Sequence, residues 1–207
     1  TVDLIKTLKP NIIVNATGSM PLLPPIKGLH DHIDKEGGKV SSILNMINHI
    51  NDYPEDLTGK KVVVIGGGAV GLDVVEFFAP KGAEVSIVEM MPIIGNGIDP
   101  VSKVGTFTLM DKYGVRQMPN TALQEVREDS FLVKANDEEE VLPFDYGFVC
   151  LGMKAEVPVL QDIKDAYEDN DAVEIVNIGD SVRARRIIEG TFEGRNILNT
   201  LEKRGYL

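Results

Sequence analysis

Short apolar runs that end in glycine or an acidic residue alternate along the chain with amphipathic segments. Strands are predicted over residues 11–16, 61–65, 83–89, 146–151 and 173–178, and the first and fourth of these are expected to be buried. Helices are predicted over residues 43–50, 72–79, 100–113 and 185–203, with capping residues, proline or glycine at several ends. Between residues 115 and 144 the runs are shorter and alternate, which predicts one strand and a small antiparallel meander. The pattern predicts an α/β fold with a parallel sheet.

The second predicted strand opens directly into a G-x-G-x-x-G motif formed by Gly66, Gly68 and Gly71. In such a motif the first glycine permits a tight strand-to-helix turn, and the second lets backbone approach a pyrophosphate. The third glycine lets the helix pack closely against the strand. The pyrophosphate lies on the helix N-terminus, here at Ala69 and Val70, where free N–H groups and the helix dipole favour negative charge. The motif predicts a Rossmann-like dinucleotide site.

An acidic residue follows the next strand at the spacing that this site requires. Glu89 lies 23 residues after Gly66, and a carboxylate there bonds the ribose 2′- and 3′-hydroxyls. It would repel a 2′-phosphate, and the adjacent Met90 and Met91 offer no cation in its place. We therefore expect NAD(H) rather than NADP(H). The alternative is a glycine-rich turn in an unrelated α/β protein, with Glu89 simply solvated.

Composition narrows the classes of partner. The 207 residues carry a net charge of −11, which argues against nucleic acid and anionic membrane surfaces. No apolar run is long enough for a membrane span, and no secretory signal is evident. The single cysteine, Cys150, lies in an apolar segment, which favours a buried thiol in a reducing, cytoplasmic setting and excludes an internal disulfide. Because the chain begins at Thr1, we expect a piece of a longer protein.

Chemistry elsewhere in the sequence is sparse. The last predicted strand ends at Gly179 and Asp180, and ligands of α/β sheets gather at such strand ends. His30 and His32 would share one face if extended, but no third metal ligand is evident, so no metal site is predicted. We identify no catalytic acid, base or nucleophile.

Three separated motifs resemble the pyridine nucleotide-disulfide oxidoreductase superfamily in its carboxyl-terminal part. The motifs are Ala16-Thr17-Gly18-Ser19 with Pro21 and Pro25-Ile26-x-Gly28, then Gly66–Gly71 with Glu89 and Phe144-Asp145 to Leu151-Gly152, and finally Ile178-Gly179-Asp180. The resemblance implies a partial FAD-binding domain over residues 1–57 and 157–207, into which an NAD-binding domain over residues 58–156 is inserted. It implies that Asp180 bonds the flavin ribityl chain, near Thr17, Gly18 and Gly179. Gly152 would lie near the cofactor edge.

Within that superfamily the chain resembles NADH:flavin oxidoreductases of the 2,4-dienoyl-CoA reductase and trimethylamine dehydrogenase type. In those proteins an FMN barrel with an iron–sulfur cluster precedes a module like this one. The resemblance implies hydride transfer from NADH to FAD, then electron transfer to a partner domain that reduces an enoate or dienoyl-CoA-type substrate. The FMN barrel, the cluster and the other FAD half would lie in the N-terminal part of the parent chain. The oligomeric state stays open, a homo-oligomer included.

Two departures from the family pattern matter. The family's first FAD-binding β-α-β unit is absent from the sequence, so the FAD adenosine has no site here and the isolated chain is expected to be inactive. Asp73 stands where the family usually has a glutamate that helps position the nicotinamide. A solvent-facing Asp73 is the alternative.

Two other functions remain open on sequence grounds. One is a non-catalytic ADP- or NAD-binding module with a regulatory or structural role. The other is a different Rossmann enzyme, such as a methyltransferase or simple dehydrogenase. That second alternative gives no role to the Thr17-Gly18 and Gly179-Asp180 strand ends, so adjacency of those two strands would count against it.

Overall fold

A computed structural model describes residues 2–168 and 172–206 and divides the chain into two compact units. The central unit is Pro21–Gly152, and the flanking unit combines Thr1–Met20 with Met153–Leu207. This division differs from that of the predicted domains, because residues 21–57 fall in the central unit and residues 153–156 in the flanking unit. The assignment of one unit to NAD and the other to FAD stays a prediction.

Twelve strands and eight α-helices make up the described chain. The strands are β1 (Ile12–Asn15), β2 (Ser19–Pro21), β3 (Val40–Ser42), β4 (Lys61–Ile65), β5 (Glu84–Val88), β6 (Arg116–Met118), β7 (Thr121–Val126), β8 (Ser130–Ala135), β9 (Glu138–Pro143), β10 (Tyr146–Val149), β11 (Met153–Ala155) and β12 (Glu174–Asn177). The helices are α1 (Val2–Leu8), α2 (Leu29–His32), α3 (Ile43–Asn48), α4 (Ala69–Phe78), α5 (Pro100–Lys112), α6 (Pro158–Ala166), α7 (Ile187–Arg195) and α8 (Ile197–Lys203).

The central unit is built on a five-stranded parallel sheet with the order β3-β10-β4-β5-β6. Strand β4 lies in its middle, and four of its five residues are buried, because helix α4 covers one face and other elements cover the opposite face. On the helix side, α4 buries Leu72, Val74, Val75 and Phe78. Because β4, β5 and β10 run parallel, their carboxyl ends lie at one edge of the sheet.

The other face of this sheet packs against the antiparallel meander β7-β8-β9. One core cluster joins sheet residues such as Val63 and Ile65 to meander residues such as Phe131 and Leu142. Gly28 brings the preceding loop against the meander, because a Cβ at Gly28 would lie 2.0 Å from the Val126 carbonyl oxygen. The central unit is thus a three-layer structure of helix, parallel sheet and meander.

The flanking unit contains a two-stranded parallel pair, β1 with β12, and a second pair, β2 with β11. Residue Asn15 is in register with Asn177 at the carboxyl ends of β1 and β12. Helices α1, α6, α7 and α8 belong to the same unit.

The predicted fold class, α/β with a Rossmann-like parallel sheet and a small antiparallel meander, is confirmed. The helix predicted over residues 185–203 is instead two helices, α7 and α8, which meet at Asn196. Edge strand β3 and helix α6 were not predicted; β3 has only three residues, which are too few to show a period, whereas α6 buries Leu160 and Ile163.

Candidate functional site

The turn after β4 requires glycine at two positions for steric reasons. Gly66 has φ of +108°, and a Cβ there would lie 2.2 Å from the Cys150 carbonyl oxygen. A Cβ at Gly71 would lie 1.8 Å from the Gly66 carbonyl oxygen, so its absence lets α4 approach β4. Both positions thus serve the packing that the motif predicted.

Gly68 differs, because a Cβ at that position would meet no atom within 4 Å. It is the N-cap residue of α4 and has no side chain to cap the helix. The first N–H groups of a helix have no intrahelical acceptor, here beginning at Ala69 and Val70. Open space and unsatisfied donors are the two features that an anionic group requires at a helix N-terminus.

Glu89 follows β5 directly and faces the same turn. Its Oε2 accepts the Gly67 N–H at 2.7 Å, and its Oε1 accepts the Met91 N–H at 2.8 Å. A carboxylate has about four lone-pair sites, so each oxygen retains capacity for a ligand hydroxyl. The half-buried Glu89 can therefore bind a vicinal diol without giving up these bonds.

A cavity of about 510 Å³ lies at this edge of the sheet, within the size range of small-molecule sites. Its walls are mainly apolar, with Glu89 as the charged residue among the described lining. The lining residues are Leu22, Pro24, Ile26, Ile65, Gly66, Gly68, Ala69, Val70, Val88, Glu89, Met90, Thr121, Ala122, Leu123, Cys150, Leu151 and Gly152. A larger cleft of about 730 Å³ lies between β10 and α3, away from the glycine turn, and we assign it no chemistry.

The wall opposite the glycine turn was not predicted. It comes from the proline-rich loop and from the first meander strand, at Leu22, Ile26 and Leu123. The loop is fixed at both ends, since Leu22 N–H donates to the Gly152 carbonyl and Val126 N–H donates to the Lys27 carbonyl, both at 2.9 Å. No local pattern marks these residues as site residues, because only the folded meander brings them to the cavity.

Asp73 and Cys150 lie close to the site without forming its polar part. Asp73 is exposed on α4 and is not among the described residues that line the cavity. Partial burial of its carboxyl group and the nearby charge of Glu76 raise its pKa. Cys150 is free and buried, as predicted, and burial together with Asp73 raises the pKa of its thiol to about 12. The thiol is therefore neutral at physiological pH and a poor nucleophile.

The flanking unit holds the other predicted site residues. Because β1 and β12 are adjacent and parallel, Thr17-Gly18 and Gly179-Asp180 follow the carboxyl ends of the two strands on the same side of the pair. This adjacency counts against a methyltransferase or simple dehydrogenase. The Asp180 carboxylate accepts the Arg185 N–H at 3.0 Å and the Ser19 hydroxyl at 3.3 Å.

A salt bridge orders the Gly179 turn. The Arg185 and Glu193 side chains pair at 2.7 Å, while Glu193 accepts the Gly179 N–H at 2.6 Å and Arg185 donates to the Gly179 carbonyl. Gly190 packs on this turn, because a Cβ there would lie 3.7 Å from the Gly179 Cα. That distance is ordinary van der Waals contact, so the structure does not require a glycine at this position of α7.

The histidine pair does not share a face. His30 and His32 lie on helix α2, where residues two apart point in different directions. Within residues 2–168 and 172–206, no group of three or more potential ligands could hold a metal ion. None of the helices described there is long and apolar enough to cross a membrane.

The chain is similar to known proteins over most of its length. The family model for pyridine nucleotide-disulphide oxidoreductases matches residues 5–177. A bilirubin reductase of Mediterraneibacter gnavus is 30% identical over 200 residues, covering 96% of this chain and 29% of the relative. An NADH oxidase of Thermoanaerobacter brockii is 29% identical over 192 residues, covering 93% of this chain and 28% of the relative. The chain thus spans less than a third of the length of these curated relatives.

Solved structures share the fold. A 2-naphthoyl-CoA reductase superposes with a TM-score of 0.78 at 24% identity, over 94% of this chain and 27% of that one. The thioredoxin reductase of T. acidophilum gives a TM-score of 0.68 at 16% identity, over 95% of this chain and 66% of that one. With a family match over residues 5–177, the chain belongs to the pyridine nucleotide-disulphide oxidoreductase family, whose members are flavoproteins that bind FAD and NAD(P)H.

Proposed function

We propose that the central unit binds NAD(H) and serves as the pyridine-nucleotide module of a flavin-dependent oxidoreductase. The observation that carries the proposal is the Glu89 carboxylate, held at the cavity wall beside the open Gly68 position and the N-terminus of α4. Together these groups offer an acceptor for ribose hydroxyls and a donor set for a pyrophosphate.

The residues present fit a dinucleotide. Ala69 and Val70 would receive the pyrophosphate, Glu89 the adenosine ribose, and the cavity end near Gly152 the nicotinamide. NADH would supply the hydride and FAD would accept it, while the chain itself binds, orients and excludes water through its apolar walls. We identify no residue here that must move a proton.

The charge at the ribose position favours NADH over NADPH. Among the described lining residues Glu89 is the charged one, and neither lysine nor arginine is present to receive a 2′-phosphate. Two negative groups about 4 Å apart in water repel by about 1 kcal/mol or more for each unit of charge. We expect NADPH to bind at least about tenfold more weakly than NADH.

For the flanking unit we propose a partial flavin site, with Asp180, Thr17, Gly18 and Gly179 facing the ribityl chain. A parallel sheet of two strands is not stable by itself, and parallel sheets are normally covered on both faces. Neither α1 nor α7, both fully described, contains a buried residue. These features support a larger parent protein that supplies the second FAD half.

We further propose that the parent protein carries an FMN barrel and an iron–sulfur cluster, and reduces an enoate or dienoyl-CoA-type substrate in the cytoplasm. Support comes from the relatives, two of which are named as reductases and are more than three times as long as this chain. The oligomeric state stays open.

Calorimetric titration of the purified chain with NADH and NADPH tests the nucleotide proposal. We expect a single NADH site, weaker NADPH binding and no NADH oxidation by the chain alone. Tighter binding of NADPH would contradict the role of Glu89, and absence of any nucleotide binding would contradict the proposed function.

A second candidate function is an ADP- or NAD-binding module without catalysis. It is favoured by the exposed Asp73, which replaces the family glutamate and lies outside the cavity wall drawn by the described residues. Rapid mixing of the parent protein with NADH separates the two functions: loss of flavin absorbance supports hydride transfer, and an unchanged flavin spectrum supports the non-catalytic module.

A further inference from the structure

Glu89 is held from four directions at the junction of three strands. Its backbone N–H donates to the Met118 carbonyl at 2.9 Å, and its carbonyl accepts the Thr121 N–H at 2.9 Å. Each carboxylate oxygen accepts a further backbone N–H, from Gly67 and from Met91. Such bonds to a charged acceptor are stronger than bonds between neutral groups.

Gly67 lies in the middle of the glycine turn and is bonded on both sides. Its N–H donates to Glu89, and its carbonyl accepts the Gly95 N–H at 2.7 Å. A Cβ at Gly67 would lie 2.9 Å from the Glu89 Cβ and 3.2 Å from its Oε2. The missing side chain therefore allows the carboxylate to reach the turn.

We propose that Glu89 is a positioning residue for the pyrophosphate turn as well as the acceptor for ribose. Its carboxylate fixes Gly67, next to the open Gly68 position, and so sets the cradle that precedes α4. This inference rests on the proposed nucleotide site and deepens it, because one carboxylate then controls two parts of the ligand.

The two roles predict effects of opposite sign on a ligand without ribose hydroxyls. Replacement of Glu89 by glutamine removes a negative charge near the pyrophosphate, which by Coulomb's law favours an anionic ligand. Glutamine also has one acceptor oxygen in place of two, so either the Gly67 or the Met91 N–H loses its acceptor and faces an amide NH₂. Weaker binding of such a ligand would therefore show that the turn around Gly67 no longer keeps its conformation.

The test uses ADP and 2′,3′-dideoxy-ADP, titrated by calorimetry into the wild-type chain, Glu89→Gln and Glu84→Gln. Glu84 lies at the exposed start of the same strand and serves as the matched control. We expect Glu89→Gln to weaken dideoxy-ADP about five- to tenfold, and Glu84→Gln to leave both ligands unchanged. Unchanged or tighter binding of dideoxy-ADP by Glu89→Gln, with a native circular dichroism spectrum, would overturn the positioning role.

Amide hydrogen exchange without ligand gives an independent measurement. At least one of the Gly67 and Met91 amides should exchange at least tenfold faster in Glu89→Gln than in Glu84→Gln, whereas amides in the middle of β4 should not change. If the wild-type chain binds no ADP, the proposed function fails, yet this exchange experiment still decides the positioning role. Equal exchange of both amides in the two variants would overturn it.

Discussion

The central and flanking units share a local structure, a parallel strand followed by a glycine turn, but different elements pack around it in each unit. In each, a parallel strand ends in a glycine with positive φ, at Gly66 and at Gly179. In the central unit the strand is flanked by two neighbours on each side, and α4 buries half of its ten residues. In the flanking unit β12 pairs with β1, while α7 leaves Ile187, Ile188 and Phe192 exposed. The glycine turn and the carboxylate of the central unit therefore border a cavity that neighbouring layers close, whereas those of the flanking unit rest on a two-stranded pair.

The largest expected difference between the units is in hydrogen exchange. Amides of β4 and β10 should exchange roughly 1,000-fold more slowly than amides of β1 and β12, because buried, fully paired strands open only with the unit as a whole. Native-state exchange followed by mass spectrometry measures this ratio. Equal protection in both units would show that the flanking pair is stabilised as well as the central sheet.

The same substitution at two helical glycines should change stability with opposite sign. Gly71→Ala places a methyl group on the Gly66 carbonyl oxygen and should lower the free energy of unfolding by about 2–3 kcal/mol. Gly194→Ala meets no atom within 4 Å inside α7 and should raise it by about 0.5 kcal/mol or more. Urea denaturation measures both. A destabilised Gly194→Ala would mean that α7 is packed where the structure leaves it open.

Gly68→Ala should separate binding from stability in the central unit. The position has open space and a φ that alanine adopts, so the cost in stability should stay below about 1 kcal/mol. The methyl group fills the proposed pyrophosphate cradle, and NADH affinity should fall at least about tenfold, a loss of about 1.4 kcal/mol. Gly105→Ala, on exposed α5, is the control and should bind NADH normally. Unchanged affinity in Gly68→Ala would move the pyrophosphate away from this turn.

The smallest effect is a pH dependence of opposite sign in the two units. Burial raises the pKa of Asp73, so its folded form holds a proton longer than the unfolded chain, and stability falls as pH rises through the folded pKa. Asp73→Asn should therefore stabilise the chain at pH 7, by less than about 0.5 kcal/mol because water screens this exposed charge, and should change nothing in acid.

Glu193 provides the opposite case. Its bonds to Arg185 and to the Gly179 N–H lower its pKa, so its stabilisation is present above the unfolded pKa and is lost as pH falls through the folded pKa. Glu193→Gln should destabilise the flanking unit at pH 7 and have no effect at low pH. Melting temperatures measured between pH 3 and pH 7 check both variants. If the melting temperature relative to wild type changed with pH in the same direction in Asp73→Asn and in Glu193→Gln, the opposite pKa shifts assigned to the two carboxyl groups would be contradicted.

Much of the fold could be predicted from local sequence features. The α/β class, the main strands and the meander followed from apolar runs and turn residues, because those patterns depend on neighbours in sequence. Strand β1 was expected to be buried, but its Val14 is exposed. The spacing from Gly66 to Glu89 also predicted that the acid would face the turn, since adjacent parallel strands end at one edge. The break at Asn196 and the helical placement of His30 and His32 were missed, since neither has a strong local signal.

The sequence by itself determined the glycine turn, its helix and the acid that follows the next strand, since steric and hydrogen-bonding demands there act over a few residues. Only the tertiary structure decided that Leu22, Ile26 and Leu123 form the opposite wall, and that Asp73 lies outside it. It also decided that Gly67 joins Glu89 to the turn. These relations depend on contacts between distant segments, which the packing of sheet, helix and meander creates and no single stretch of sequence encodes.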